Sequence, residues 1–241
     1  MTMRLQFEFS IQKIPAAYRL GTLSIIKEMV RTGSNQYYRY MFEENSKEMK
    51  PFAYASYIQN LEYKGYEIYG DKMYLTISSP SYEFIMYLMN GSQKKEIYDY
   101  KDYKLKLIHK RLLPKPPTFT EIVTFKTASP ILIENKEGKP LLASNPYFER
   151  EFNYYANLIA KELNNRELYQ PIQIINSTMN KVVIKENLHQ SQNRNVFMTA
   201  NHGVIQLKGH QEDLKMLYEC GVGLRRSLGL GLLNVEEVTY L

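Results

Sequence analysis

Hydrophobic and polar positions alternate strictly at the start of the chain. Leu5, Phe7, Phe9 and Ile11 interleave with Arg4, Gln6, Glu8 and Ser10, and a period of two is a strand with one face in a core. The period then lengthens. Leu20, Leu23, Ile26 and Val30 recur at helical spacing, with Gly33 as a stop signal. Residues 50–63 (KPFAYASYIQNLEY) read as extended. Residues 65–78 (GYEIYGDKMYLTIS) read as a hairpin about Gly70-Asp71, since glycine at the first turn position suits a type II′ turn. Ser79-Pro80 caps and begins a second helix, SYEFIMYLMNG, closed by Gly91, and YKLKLIH is a last strand.

The pattern then starts again. Residues 112–118 (LLPKPPT) hold three prolines and read as a linker. Beyond it, TEIVTFKTASPILI is a strand or strand pair. NPYFEREFNYYANLIAKELNN is a helix with Phe148, Phe152, Tyr155 and Ile159 on one stripe. NKVVIKENL and RNVFMTANHGVIQLKG are β-rich, HQEDLKMLYECG is a short helix and LGLLNVEEVTYL a final strand. Both halves therefore run β-α-β-β-α-β, the order of the ferredoxin-like motif that also serves RNA-recognition modules. The expected architecture is α+β, with two tandem ferredoxin-like (RRM-like) domains over residues 1–113 and 119–241, a Pro-rich linker over 114–118, and a glycine-rich loop over 221–231 of the second domain.

Composition narrows the functional classes. The formal net charge is +6 and the pI about 9.1, a balance that favours anionic partners such as nucleic acid. A single cysteine, Cys220, excludes an internal disulfide and any cysteine-based zinc cluster, and fits a reducing cytosol. The N-terminus lacks the apolar segment of a signal peptide, and no apolar run approaches a membrane span. A cytoplasmic location without membrane contact is the expectation.

The densest motif lies near the end: GVGLRRSLGLGLLNV, with Gly221, Gly223, Gly229 and Gly231 around Arg225, Arg226 and Ser227. It is not a Walker loop, because Leu230 follows Gly229 where lysine is required. It is not a dinucleotide loop, because position 226 is Arg. Those loops also run from strand to helix, whereas this one runs from helix to strand and presents a helix C-terminus, which repels anions. Phosphate bound here would be held by main-chain amides that glycine leaves accessible and by the two guanidinium groups.

This segment resembles the C-terminal glycine-rich signature of the repeat-associated RNA-binding superfamily, and within it the CRISPR repeat-processing endoribonucleases. TASPILI, GVIQLKGHQEDLKMLYECG, IPAAYRLGTLSII and KPFAYASYI are similar to further pieces of that family. The resemblance implies two ferredoxin-like domains and an RNA partner, the repeat of the CRISPR precursor transcript. It implies no metal and no cofactor. The implied cut is an attack by a 2′-hydroxyl that leaves a 2′,3′-cyclic phosphate and a 5′-hydroxyl. Such chemistry needs a base, cations for the phosphorane and an acid for the leaving oxygen.

Many members of that family carry a histidine after the first helix. Here the segment is YYRYMFEE, the histidine position falls on Phe42, and no histidine precedes His109. Three readings stay open: Tyr37, Tyr38, Arg39, Tyr40 and Lys50 do the work; the chain binds repeats without cutting, as a subunit of a CRISPR effector complex; or His202 or His189 enters from the second domain. Lysine and tyrosine, with ordinary pKa values of about 10, are poor bases at neutral pH but stabilise charge. Lys104, Lys106, Lys110 and Arg111 form a basic strand and linker, and Lys181, Lys185 and Arg194 a second basic surface. Tyr98, Tyr100 and Tyr103, and Tyr63, Tyr66 and Tyr69, are candidates for base stacking. The protein is expected as a monomer or homodimer.

Overall fold

The computed structural model describes residues 3–189 and 194–239, the side chains of 187–189 and 194–195 excepted. In chain order, β1 (Met3–Ser10) and β2 (Lys13–Pro15) lead into α1 (Arg19–Gly33) and α2 (Asn35–Arg39), which continues as a π-helical stretch, Tyr40–Glu44. Then come β3 (Ala53–Gln59), β4 (Glu62–Lys64), β5 (Glu67–Tyr69), β6 (Lys72–Ser79), α3 (Tyr82–Lys94), β7 (Ile97–Tyr100) and β8 (Tyr103–Leu112). After the proline-rich stretch follow β9 (Ile122–Thr127), α4 (Phe148–Asn164), β10 (Gln173–Ser177), β11 (Asn180–His189), β12 (Arg194–His202), β13 (Val204–Lys208), α5 (Gln211–Cys220), a 3₁₀ turn at Arg226–Leu228, and β14 (Leu233–Thr239). The chain is an α+β protein with two tandem ferredoxin-like folds. Two compact units divide it: Met1–Pro51, Ser56–Leu113 and Lys185–Val196 form the first, and Phe52–Ala55, Pro114–Ile184 and Phe197–Leu241 the second.

The first unit is built on a sheet of order β3-β6-β1-β8-β7. The alternation at the start of the chain does what it predicts: Leu5, Phe7 and Phe9 are buried, as are Leu75 and Ile77 of β6 and Leu105 and Leu107 of β8. β1 pairs antiparallel with both β6 and β8, and a bulge in β8 shifts the register between Glu8 and Phe9. α1 and α3 pack together at a separation that glycine permits. A Cβ at Gly91 would lie 1.7 Å from the Met29 carbonyl oxygen, and one at Gly33 would lie 2.0 Å from that of Tyr87. Gly91 is therefore not the helix stop expected from the sequence. α3 runs through it to Lys94, and its N-cap is Ser81, whose Oγ accepts from the Phe84 N–H at 3.2 Å.

The expected hairpin about Gly70-Asp71 is also corrected. β5 and β6 flank that dipeptide but belong to different sheets, β5 pairing with β2 and β4. Gly70 is not among the glycines at positive φ, which a type II′ turn requires, whereas Gly65, between β4 and β5, has φ of 63°. The real hairpin turns there.

In the second unit β9 lies between β13 and β14, antiparallel to both, in a sheet of order β10-β13-β9-β14. α4 buries Phe148, Phe152, Ala156 and Ile159. Tyr155, expected on that stripe, sits at its margin and donates its hydroxyl to the Glu134 carbonyl at 3.2 Å.

Glu186 of β11 belongs to the first unit. Its side chain is wholly buried, and Oε1 accepts from the Arg19 N–H at 3.2 Å and lies 3.4 Å from Arg19 Nη1. It thereby caps α1, whose own N-cap residue, Tyr18, contributes no side-chain bond. Oε2 of Glu186 has no hydrogen-bond partner among the described residues, and burial raises the carboxyl pKa against the opposing pull of Arg19. Among the described residues no helix is long and apolar enough to cross a membrane.

Candidate nucleic-acid interface

The segment after α1 is folded tightly. Ser34 caps α2 by accepting from the Tyr37 N–H at 3.2 Å, and α2 then widens into the π-helical turn, a form that recurs at functional sites. The residues the sequence groups together point in different directions from this helix, although the Tyr37 and Tyr40 rings stay 6.4 Å apart. Tyr37 is buried against Tyr87, ring centroids 5.0 Å apart, and burial raises its pKa. Arg39 lies outside, 3.9 Å from Glu43 one turn on, and Tyr40 is exposed.

Tyr38 takes part in a different cluster. Its ring is 5.5 Å from Phe42, the Arg31 guanidinium stacks over it at 5.2 Å, and Lys27 Nζ stands 5.0 Å from the Phe42 ring. Lys50 donates to the Asn45 carbonyl at 2.5 Å. Burial lowers the pKa of both Lys27 and Lys50; for Lys50 the Glu48 carboxylate opposes the shift and the charge of Lys27 adds to it. The structure thus gathers Lys27 and Arg31 about the Tyr38–Phe42 pair, with Lys50 close enough to Lys27 for the two charges to influence each other. Sequence reasoning missed Lys27 and Arg31, although a signal was present: residues four apart share one helix face.

The glycine-rich segment departs from its expected form. Its amides are largely committed to carbonyl oxygens: Gly221 N–H to Leu217, Val222 to Gly231, Leu224 to Leu132, Gly229 to Arg226 and Gly231 to Pro130. The glycines serve close main-chain packing. All four have positive φ, and a Cβ at Gly231 would stand 1.9 Å from the Val222 oxygen. Arg226, expected to face a phosphate, is turned inward at 5% exposure, and its Nη1 donates to the Cys220 carbonyl at 2.5 Å. The reason is local: carbonyls in the last turn of α5 lack intrahelical partners, and a guanidinium supplies a donor. Burial lowers the Arg226 pKa to about 10 and raises that of the enclosed Cys220 to about 12. Arg225 is exposed, with Nη1 3.1 Å from Met198 Sδ, and Ser227 is half-buried. Arg225 has φ of 56°, a left-handed conformation that costs a non-glycine residue roughly 1–2 kcal/mol.

The remaining basic residues are dispersed. Lys104 and Lys106 are exposed on one face of β8. After the bulge the alternation reverses, and Lys110 falls on the helix side, where it donates to the Ser92 carbonyl near the end of α3 at 3.2 Å. Arg111 donates from Nε and Nη2 to Gln6 Oε1, at 3.0 and 2.6 Å. Lys181 is exposed, Lys185 stands 5.0 Å from the Tyr66 ring, and the Arg194 side chain lies outside the described residues. Tyr98 is core, edge-on to Phe9, while Tyr63 and Tyr66 are exposed. His202 Nδ1 lies 2.8 Å from Thr127 Oγ1, and burial lowers its pKa. The His189 side chain, too, lies outside the described residues.

The two units define, as a class, a tandem ferredoxin-like protein with a glycine-rich segment between α5 and β14. The family described as CRISPR associated protein Cas6, C-terminal, matches residues 113–235, and the chain belongs to it. It is 28% identical over 182 residues to the CRISPR-associated endoribonuclease Cas6 1 of Methanocaldococcus jannaschii, covering 72% of this chain and 68% of that relative. Among solved structures it is similar in fold to a Cas6-related protein of Pyrococcus furiosus (TM-score 0.79, 19% identity, 99% of this chain and 100% of that one). It is likewise similar to a RAMP protein described as binding different RNA substrates (TM-score 0.77, 15% identity, 98% and 100%).

Proposed function

We propose that this chain binds the repeat of CRISPR precursor RNA and cuts it without metal, the 2′-hydroxyl attacking the adjacent phosphorus. The 2′-hydroxyl gives up its proton as the O2′–P bond forms, the P–O5′ bond breaks, the 5′-oxygen takes up a proton, and a 2′,3′-cyclic phosphate remains. The observation that carries the reading is the cationic group of Lys27 and Arg31 over the Tyr38–Phe42 pair, with Lys50 within electrostatic reach of Lys27, in a member of the Cas6 family. Cations fixed where phosphorane charge develops lower the barrier, and removing one such donor typically costs about 10²–10³ in rate. Lysines with lowered pKa also stand nearer to proton exchange at neutral pH than ordinary ones. Arg225 supports a phosphate contact: it is exposed, and it holds a strained backbone conformation among glycines while its one side-chain contact among the described residues is the weak acceptor Met198 Sδ.

One observation favours a second reading, a subunit that binds repeats without cutting. Phe42 stands where many relatives by resemblance carry a histidine, and it is packed against Tyr38. Incubation of labelled repeat RNA with the protein in EDTA separates the two. One cut per repeat ending in a cyclic phosphate is the expected result, with Lys27→Ala and Lys50→Ala each slower by about 10²-fold or more. A mobility shift without a cut establishes the second reading, and neither cut nor shift overturns both.

A further inference from the structure

Lys27 and Arg31 stand four residues apart on α1, and Tyr38 and Phe42 stand four apart on α2 and its π-helical continuation. The chain turns back at Ser34, so the pairs nest as in a helical hairpin. Nearer the turn, the Arg31 guanidinium lies over the Tyr38 ring at 5.2 Å. One helical turn further out, Lys27 Nζ lies over the Phe42 ring at 5.0 Å. Both distances are within cation–π range. The carboxylates nearby are engaged elsewhere: Glu28, beside Lys27 in sequence, pairs with Lys95; Glu43, beside Phe42, lies 3.9 Å from Arg39; and Glu48 acts on Lys50. Among the described residues, neither Lys27 nor Arg31 has an ion-pair partner. A carboxylate would hold either cation by cancelling its charge. A ring holds it by the negative face of its π-system and leaves the unit charge whole.

We infer that Phe42 is a positioning residue: its ring seats the Lys27 ammonium, as that of Tyr38 seats the Arg31 guanidinium, and leaves both charges undiminished for an RNA phosphate. This rests on the reading that Lys27 serves the cut, and it adds what holds that lysine in place. Phenylalanine suits the task because its ring carries no group that titrates, so the seat is the same at every pH. The ring acts through the cation and on no reacting atom itself.

The test is single-turnover cleavage of labelled repeat RNA by the full chain, in which the amplitude reports the folded fraction and the rate constant is independent of it. Phe42→Leu keeps an apolar side chain and removes the π face. It is expected to slow the cut by about 10-fold or more, since displacing a group by about 1 Å can cost about 10²-fold. Phe42→Tyr restores the ring and is expected to cut within about threefold of the wild-type rate. In a Lys27→Ala background Phe42→Leu is expected to slow the cut no further, because the ring acts only through the lysine. A wild-type rate in Phe42→Leu overturns the inference. So does the same fractional loss with Lys27 and without it, which marks a packing role. A second measurement needs no cleavage: titration of the Lys27 ammonium by NMR in protein carrying isotope-labelled lysine, the signal assigned by its loss in Lys27→Ala. Removing a partner of the charged form lowers a lysine pKa, so Lys27 should titrate at lower pH in Phe42→Leu than in the wild type or Phe42→Tyr. An unmoved titration overturns the seat whether or not RNA is cut. A moved titration in a protein that never cleaves supports the seat and overturns the nuclease.

Discussion

Arg225 and Arg226 are neighbours in sequence and opposites in structure. One is exposed in a left-handed conformation; the other is buried on the end of α5. Arg226→Ala is expected to destabilise the protein by about 3 kcal/mol, through a lost charged hydrogen bond and the space left behind. Arg225→Gly is expected to fold as well as the wild type or slightly better, by up to about 1 kcal/mol, since it relieves the strained φ, and to bind RNA more weakly. Urea denaturation and a binding titration on both variants check the division; equal stabilities would refute it. The same measurement applied to glycine distinguishes packing from conformation. Gly231→Ala meets the Val222 oxygen and should cost about 3 kcal/mol or more. Gly138→Ala, also at positive φ but with open space around its Cβ, should cost about 1 kcal/mol. The motif was legible in the sequence as a cluster of glycines and cations. Which cation points outward was not, because a one-residue difference in a turn depends on which carbonyl of α5 needs a donor.

At the scale of elements, periodicity carried far. The alternation in β1 and the repeated β-α-β-β-α-β order appear in the structure, and α1 forms with Ile26 and Val30 on its buried face, although that face runs through Thr22, Ile25 and Met29 and leaves Leu20 and Leu23 at its margin. The failures share a cause. Gly91 and Gly70 look like local punctuation in the sequence, and both are explained by partners distant in sequence: Gly91 by the backbone of α1, and Gly70 by a chain passing between sheets. The bulge in β8, which sends Lys110 to the helix side, likewise left no mark in the pattern of lysines. The contact of Glu186 with α1 spans 167 residues and was invisible to any local rule. It carries a pH signature. Burial holds the folded-state pKa of Glu186 above its unfolded value, so its contribution is fully present below the unfolded value of about 4.3 and is lost as pH rises through the folded one. Melting temperatures followed from about pH 4 to 7 should therefore fall in the wild type relative to Glu186→Gln, which does not titrate. Parallel curves would show that the carboxylate is compensated.

For the whole molecule, a net charge of +6 describes a chain whose basic residues are divided among separate surfaces, several of them already engaged by the protein itself. Lys110 and Arg226 cap helix ends, and Arg111 is braced against Gln6. Charge counted along a sequence therefore overstates the cations available to an anionic polymer, and the surfaces that remain owe their character to tyrosine as much as to lysine. The enclosure of Cys220 has one more consequence. It is the only cysteine of the chain, fully buried, with its pKa pushed up to about 12. In the closed molecule it should be inert to maleimide, since thiolate is the reactive form. Alkylation then waits on opening, so its rate clocks how often the end of α5 comes apart, a built-in stopwatch for the second unit. Arg226→Ala should make that clock run faster by about a hundredfold if its loss of about 3 kcal/mol falls on the opening step, and an unchanged rate would place the weakness elsewhere.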